Sequence, residues 1–405
     1  MSDAQQAVNV IEAYAQSIKG ELLRPARGIL RRPYLSPGIG DTYPDLTDWD
    51  TIWSGIAYAQ KGDVDPLKDS LLNLIEHIAP DGKGQRRIGF KKYSAPPYQI
   101  RPFLASGVYA LSKLIGCDWL SESDVENLHR HLIWWHVNRT GREGLLKWLH
   151  VDEGFADNGL VNWAWEGNAV QGTDLNAQMV REHIGLAWVL EERGDEKRAA
   201  EHREWADRLC SRIETCLWNE ELGCYASLYN PPVRYVDSEP IPILGYNNLW
   251  PLWVGISSPE RAKTVIEKHL LNEDAFLSPF GIRSMAKCER NYNNMKSGYI
   301  HPMASAPQTG TAMGSPSSNW QGPVWAPSTY CGIFALKNYG YAKEADDLAT
   351  RYLCFLEKAL ARDGAFYENY DAETGEGLHA YGMGSWYTML GQLLKDEDVF
   401  PSIKR

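Results

Sequence analysis

The sequence predicts an all-α chain closed as an (α/α)6 barrel, a toroid whose long loops crowd one mouth. Three observations carry this expectation. Apolar residues recur at helical spacing in twelve segments, many of them joined as short-linked pairs. Period-two alternation is scarce. Four loops, over 141–173, 219–245, 272–318 and 364–382, are too long to be simple connections.

The elements follow in order. Asp3 is placed to cap a first helix whose Val8, Ile11, Ala15, Ile18 and Leu22 share one face. A Gly/Pro-rich loop runs over 24–44. The second helix starts near Asp48 and carries Trp49, Asp50, Trp53 and Ile56. Asp65-Pro66, cap then proline, opens a third that buries Leu67, Leu71, Leu74, Ile75 and Ile78. A basic, glycine-rich loop over 81–97 leads to a fourth at 101–115. Ser121 through Asp124 has the form of a capping box for a fifth. Asp174 caps a helix to Arg193, Gly194-Asp195 breaks it, and another runs to Trp218. The loop 219–245 has room for a short hairpin. Further helices fall at 246–256, 258–271, 324–339, 341–362 and 383–395. No composition shift marks a border, so residues 1–405 read as a single catalytic domain.

Composition narrows the function. The net charge is −11 without a Lys/Arg block, which argues against nucleic acid or an anionic membrane as partner. No apolar run is long enough to span a bilayer, and no secretory segment opens the chain, so a cytoplasmic location is expected. Seven cysteines without scaffold-like spacing fit reduced thiols. No His/Cys spacing suggests zinc and no phosphate loop appears, so neither a metal nor another cofactor is expected. A homo-oligomer is compatible with all of this. Sixteen tryptophans and 21 tyrosines are more aromatic surface than a core of this size needs, and they point to a small-molecule or carbohydrate pocket.

The stretch Ser318–Pro327 puts Trp320 and Trp325 on backbone held by Gly322, Pro323 and Pro327. Flat rings beside Asn319 and Gln321 suit a sugar, the ring covering the C–H face and the amides bonding hydroxyls. A plug in the core is the plainer use of the same residues. Two aromatic loops add carboxylates: Asp157 within 148–158, and Glu368 between Tyr367 and Tyr370. Carboxyls walled by aromatic rings have raised proton affinity, and glycoside hydrolysis needs two, one to protonate the leaving oxygen and one to activate water.

The run Asn319-Trp320-Gln321-Gly322-Pro323-Val324-Trp325, then Tyr367-Glu368-Asn369-Tyr370-Asp371 with Thr374-Gly375-Glu376, then Ser385-Trp386, resembles glycoside hydrolase family 63, a relative of the family 37 trehalases. Trp49-Asp50, Pro96-Pro97, Glu153 to Asp157-Asn158, Asp174-Leu175-Asn176 and Phe276 through Ile282 match in the same order. The resemblance implies the (α/α)6 barrel and inverting hydrolysis of α-linked sugars. It makes Asp157 the general acid and Glu368 the base. It places Tyr43, Trp49, Asp50, Glu153, Trp163, Trp320, Gln321, Gly322, Trp325, Tyr367 and Trp386 around the sugar. The short chain resembles compact bacterial members that cleave glucosylglycerate or mannosylglycerate, with a plain α-glucosidase as the near alternative. The chain departs from the pattern at Phe155-Ala156 before the acid and at Leu160-Val161-Asn162 after it, where an arginine is usual. A carboxylate-bearing leaving group would want cations from Arg86, Arg87, Lys91, Lys92 or Arg101. Two other functions share this barrel. A sugar 2-epimerase needs a histidine pair, for which His183, His301 and His379 are available, and a non-catalytic sugar-binding barrel needs only the tryptophans.

Overall fold

In the computed structural model, residues 3–89, 98–150, 153–157, 159–162, 169–231, 236–296 and 319–403 are described. The helices are α1 (Asp3–Leu22), α2 (Trp49–Ala59), α3 (Asp65–Glu76), α4 (Leu104–Ile115), α5 (Glu122–Arg139), α6 (Thr173–Glu192), α7 (Glu196–Arg212), α8 (Trp250–Val254), α9 (Pro259–Val265), α10 (Ala326–Asn338) and α11 (Ala342–Asp363), with a closing 3-10 helix Trp386–Leu394. Single π turns extend α7 through Leu217 and α9 through Leu270, and a 3-10 turn Tyr246–Leu249 precedes α8.

The contacts close a ring. α2 packs on α4, α4 on α6, α6 on α8, α8 on α10, α10 on the 3-10 helix, and that helix back on α2. The other helices lie outside, with α1 on α11, α3 on α2 and α7 on α6. The chain therefore alternates inner and outer helices, which is the (α/α)6 barrel.

Burial explains the alternation. Every residue of α2 from Trp49 to Ala59 is buried, and so is α10 from Ala326 to Leu336. A helix apolar all round must sit in the interior. α7 buries only Ala199, His202, Ala206 and Leu209, a single stripe, and so belongs outside. α1 buries the face read from its sequence, Val8, Ile11, Ala15, Ile18 and Leu22 included.

Four helix starts differ from expectation: Asp3 is the first residue of α1, not its cap, and α4 begins at Leu104, three residues later than expected. Val64, not Asp65, is the N-cap residue of α3, and Asp65 is its first residue, with Pro66 next. Gly172 takes the N-cap position of α6. Asp174 is the second residue of the helix, buried in its first turn, where its carboxylate accepts from Trp148 Nε1 at 3.1 Å and Asn247 Nδ2 at 2.7 Å. The capping box at Ser121 and Asp124 is present.

Short two- and three-stranded pairings stitch the loops together. Leu46-Thr47 pairs with Arg87-Ile88, so the segment entering α2 lies against the segment that leads to α4. Val324 bridges both Arg283 and Tyr370, and Gly38 bridges Met383. Among the described residues, no helix is long and apolar enough to cross a membrane.

Candidate active site

A cleft opens among the segments that enter the inner helices. Tyr43, Thr47, Asp48, Trp49 and Asp50 come from the entry to α2, Arg86, Arg87 and Arg101 from the approach to α4, and Phe155 and Asp157 from the loop before α6. Trp320 and Trp325 precede α10; Glu368, Met383 and Trp386 precede or begin the 3-10 helix. The N-terminal ends of α2, α10 and the 3-10 helix thus face the cleft, and their dipoles favour negative charge there.

That charge is present. Asp50 is buried, and desolvation with nearby Asp48 raises its carboxyl from 3.8 to about 6. Glu368 is buried, and desolvation, then the charges of Asp157 and Asp50, raise it well above the usual carboxylate range. The Tyr43 hydroxyl donates to Glu368 Oε2 at 3.4 Å. Asp157 is about a third exposed, with side-chain accessibility of 34%. Arg86 Nη2 donates to both its oxygens at 2.9 Å, and Arg101 Nη2 donates to Oδ1.

Arg101 is the hub of the cleft wall. It also bonds Asp48 through its backbone N–H at 3.0 Å and Nη1 at 3.2 Å, and Gly154 O through Nε at 2.9 Å. Asp48 meanwhile caps α2 by accepting from the Trp49 N–H. One buried guanidinium therefore joins the starts of α2 and α4 to the loop that carries Asp157.

The floor is aromatic. Trp320 and Trp325 stack with centroids 3.6 Å apart and planes 10° apart. Tyr246 backs Trp320 at 5.2 Å, and Trp386 meets both Trp325 and Trp49. Trp325 Nε1 donates to Asn319 O at 2.8 Å, which fixes the ring. Trp386 Nε1 and Thr47 Oγ1 have no protein partner among the described residues, though both belong to residues lining the cleft. Unpaired buried polar atoms beside such a floor are suited to sugar hydroxyls.

Of the residues expected around the sugar, Tyr43, Trp49, Asp50, Trp320, Trp325 and Trp386 line the cleft with Asp157 and Glu368. Four expected ones do not. Glu153 is a buried anchor: Arg139 bonds both its oxygens, at 2.7 and 2.8 Å, and the Leu149 and Gln99 N–H groups add two more bonds. Those bonds hold its carboxyl below the usual range against the opposing effect of burial. Gln321 accepts from Asn293 Nδ2 at 3.2 Å. Gly322 leaves space for Asn293 O, which a Cβ there would meet at 2.1 Å. Tyr367 packs against Gly377 and Tyr381. Trp163 and Pro96-Pro97 lie outside the described residues, as does His301.

The histidine pair required for an epimerase does not form among the described residues. His183 is buried in a row with His136, Nε2 to Nε2 at 2.7 Å, and His202, Nδ1 to Nδ1 at 2.8 Å. His202 Nε2 meets His129 Nδ1 at 3.0 Å. That row lies between the inner helix α6 and the outer helices α5 and α7, away from the cleft lining.

A family model described as a mannosylglycerate hydrolase MGH1-like glycoside hydrolase domain matches residues 43–387. The chain belongs to that family. A mannosylglycerate hydrolase of Rubrobacter radiotolerans is 26% identical over 221 residues, covering 55% of this chain and 42% of its own length. A cytosolic neutral trehalase of Neurospora crassa is 29% identical over 161 residues, 39% of this chain and 18% of that protein. The chain thus spans less than half the length of these relatives. The GH63 mannosylglycerate hydrolase of Thermus thermophilus, solved with Tris and D-glycerate, superposes with TM-score 0.68 at 18% identity, over 95% of this chain and 99% of that one. The neutral trehalase of Saccharomyces cerevisiae gives TM-score 0.64 at 18% identity, over 90% and 74%. These likenesses show the barrel, and the family membership makes this a glycoside hydrolase domain.

Proposed function

We propose that the chain is an inverting glycoside hydrolase that releases glucose or mannose from a small α-linked glycoside. The observation that carries this is the meeting of Glu368 and Asp157 in one cleft over the stacked Trp320 and Trp325. Glu368, desolvated and beside like charges, has the high proton affinity of a base that takes a proton from water. Asp157, more exposed and at the arginine wall, is the group that protonates the departing oxygen.

The leaving group is a small acid of the glycerate type. Arg86, Arg87 and Arg101 all line the cleft, and a guanidinium pairs with a carboxylate through two parallel bonds. In the free site Arg86 is spent on Asp157. A carboxylate on the leaving group would compete for Arg86 and loosen one of the two guanidinium contacts on Asp157, Arg101 keeping the other. A plain α-glucoside would leave that clamp in place.

The test is a panel of α-glucosides, α-mannosides and their glycerate conjugates, followed by proton NMR within minutes of mixing. Release of the β-anomer from a glycerate conjugate is the expected result. First release of the α-anomer would overturn the inverting mechanism, and turnover of neutral glycosides alone would overturn the choice of leaving group.

A further inference from the structure

Each turnover leaves one proton in the wrong place. The water O–H bond breaks as its oxygen bonds the anomeric carbon, and Glu368 keeps that proton. The bond from the anomeric carbon to the leaving oxygen breaks as Asp157 delivers its own. Before the next turnover Glu368 must lose a proton and Asp157 must gain one. Glu368 is buried, and the cleft in front of it is filled by substrate or product.

Behind Glu368, outside the lining of the cleft, stands His379. Its Nε2 is 3.7 Å from Glu368 Oε2, and its side chain is 15% exposed against 7% for the glutamate. The Glu368 N–H donates to the His379 carbonyl at 2.8 Å, and Asn369 pairs with His379 across a bulged two-strand ladder. The backbone therefore fixes the ring beside the carboxyl.

Strain marks the same place. Among the described non-glycine residues, only Tyr43 and Ala380 have positive φ, 46° and 40°. Tyr43 bonds Glu368 Oε2, and Ala380 directly follows His379. Two bonds lock these loops together: Thr42 Oγ1 to Tyr381 O at 3.0 Å and Ile39 N–H to Gly382 O at 3.0 Å. Such conformations cost on the order of 1–3 kcal/mol each and persist where surrounding structure imposes them.

We propose that His379 is the proton exit of Glu368, taking from its carboxyl the proton won from water and passing it to solvent. This rests on Glu368 being the base. Burial lowers the imidazole from 6.5, so the ring waits neutral and holds the proton from Glu368 only in passing, against the gradient of proton affinity, until solvent takes it. The other groups acting on Glu368 are the Tyr43 hydroxyl and the Asp50 charge from the entry to α2, Asp157 from the loop before α6, and Arg87 from the approach to α4.

The experiment compares wild type with His379→Gln, His379→Ala and Glu368→Gln on the substrate that the panel identifies. The tie to Glu368 uses the His379 carbonyl, which every variant keeps. His379→Gln should lose at least about tenfold in kcat with KM unchanged and a larger solvent isotope effect in D2O. Added imidazole should restore His379→Ala with saturation. Wild-type kcat and isotope effect in His379→Gln, with Glu368→Gln inactive, would overturn the relay alone. A kcat loss that imidazole does not restore would assign His379 a structural role and overturn it too. An active Glu368→Gln would remove the base and the relay together.

Discussion

Asp50→Asn should make the protein more stable and less active, and the stability gain should depend on pH. The side chain is buried, and its carboxyl is raised from 3.8 to about 6 by desolvation and by Asp48. At roughly 1.4 kcal/mol per tenfold change, a carboxyl moved that far carries about 3 kcal/mol. The sign follows from linkage. Unfolded, Asp50 gives up its proton near pH 3.8; folded, only near 6. Below 3.8 both states hold the proton and nothing is lost. Between those values the folded state holds a proton that the unfolded state has released, so stability falls as pH rises, and above 6 the full cost is in place. Asparagine cannot ionise. The difference in unfolding free energy between variant and wild type, from urea titrations, should therefore approach about 3 kcal/mol at pH 7.5 and be about half that at pH 5. Activity should drop because Asp50 lines the cleft. A gain of equal size at both pH values, or a loss at pH 7.5, would refute the view that the buried charge opposes folding.

Four further outcomes are expected. Glu368→Gln should lose about 10²- to 10⁴-fold in kcat, measured by product release, while its circular dichroism is unchanged. Arg86→Met should raise KM for a glycerate conjugate about 10- to 100-fold in initial-rate assays and raise it far less for a neutral glycoside, as loss of a charged hydrogen bond requires. Glu153→Gln should cost about 3 kcal/mol in urea unfolding, because it removes the charge that compensates buried Arg139. The histidine row should make the barrel acid-sensitive. Burial lowers His136 to about 4 and His202 to about 3, whereas the unfolded chain protonates them near 6.5. Stability is thus full above 6.5 and falls as pH drops toward 4, and replacing both by Gln should flatten the thermal-melting profile over that window.

The barrel was legible because burial leaves a periodicity. α2 and α10 are apolar all round, α1 and α7 carry one stripe, and the alternation of the two kinds is the fold. The tryptophan loop and the two carboxylates of the cleft, Asp157 and Glu368, were legible because turn-formers and aromatic rings surround them. Glu153 was misplaced because motif spacing does not say which way a side chain points; here it turns inward to Arg139. Asp174 was read as a cap because caps and first-turn acids share residue types, and only the approach of Trp148 and Asn247 distinguishes them. Arg101 carried no signal as a hub. Its partners Asp48, Gly154 and Asp157 lie 53 residues, 53 residues and 56 residues away in sequence.

That distance is also why the cleft holds together against its own charge. Asp48, Asp50, Asp157 and Glu368 crowd one space, and Asp50 and Glu368 are pushed upward by the company. Arg101 alone draws Asp48 and Asp157 to one centre. α2, α10 and the 3-10 helix add the positive ends of their dipoles from the same side. Neither device neutralises Glu368: in the free site its bonded partner is the Tyr43 hydroxyl, held on strained backbone. A guanidinium placed on Glu368 would lower the proton affinity of its carboxyl. The arrangement instead puts arginine on Asp157 and leaves Glu368 to desolvation and like charges, which raise its affinity for a proton against the opposing Tyr43 hydrogen bond.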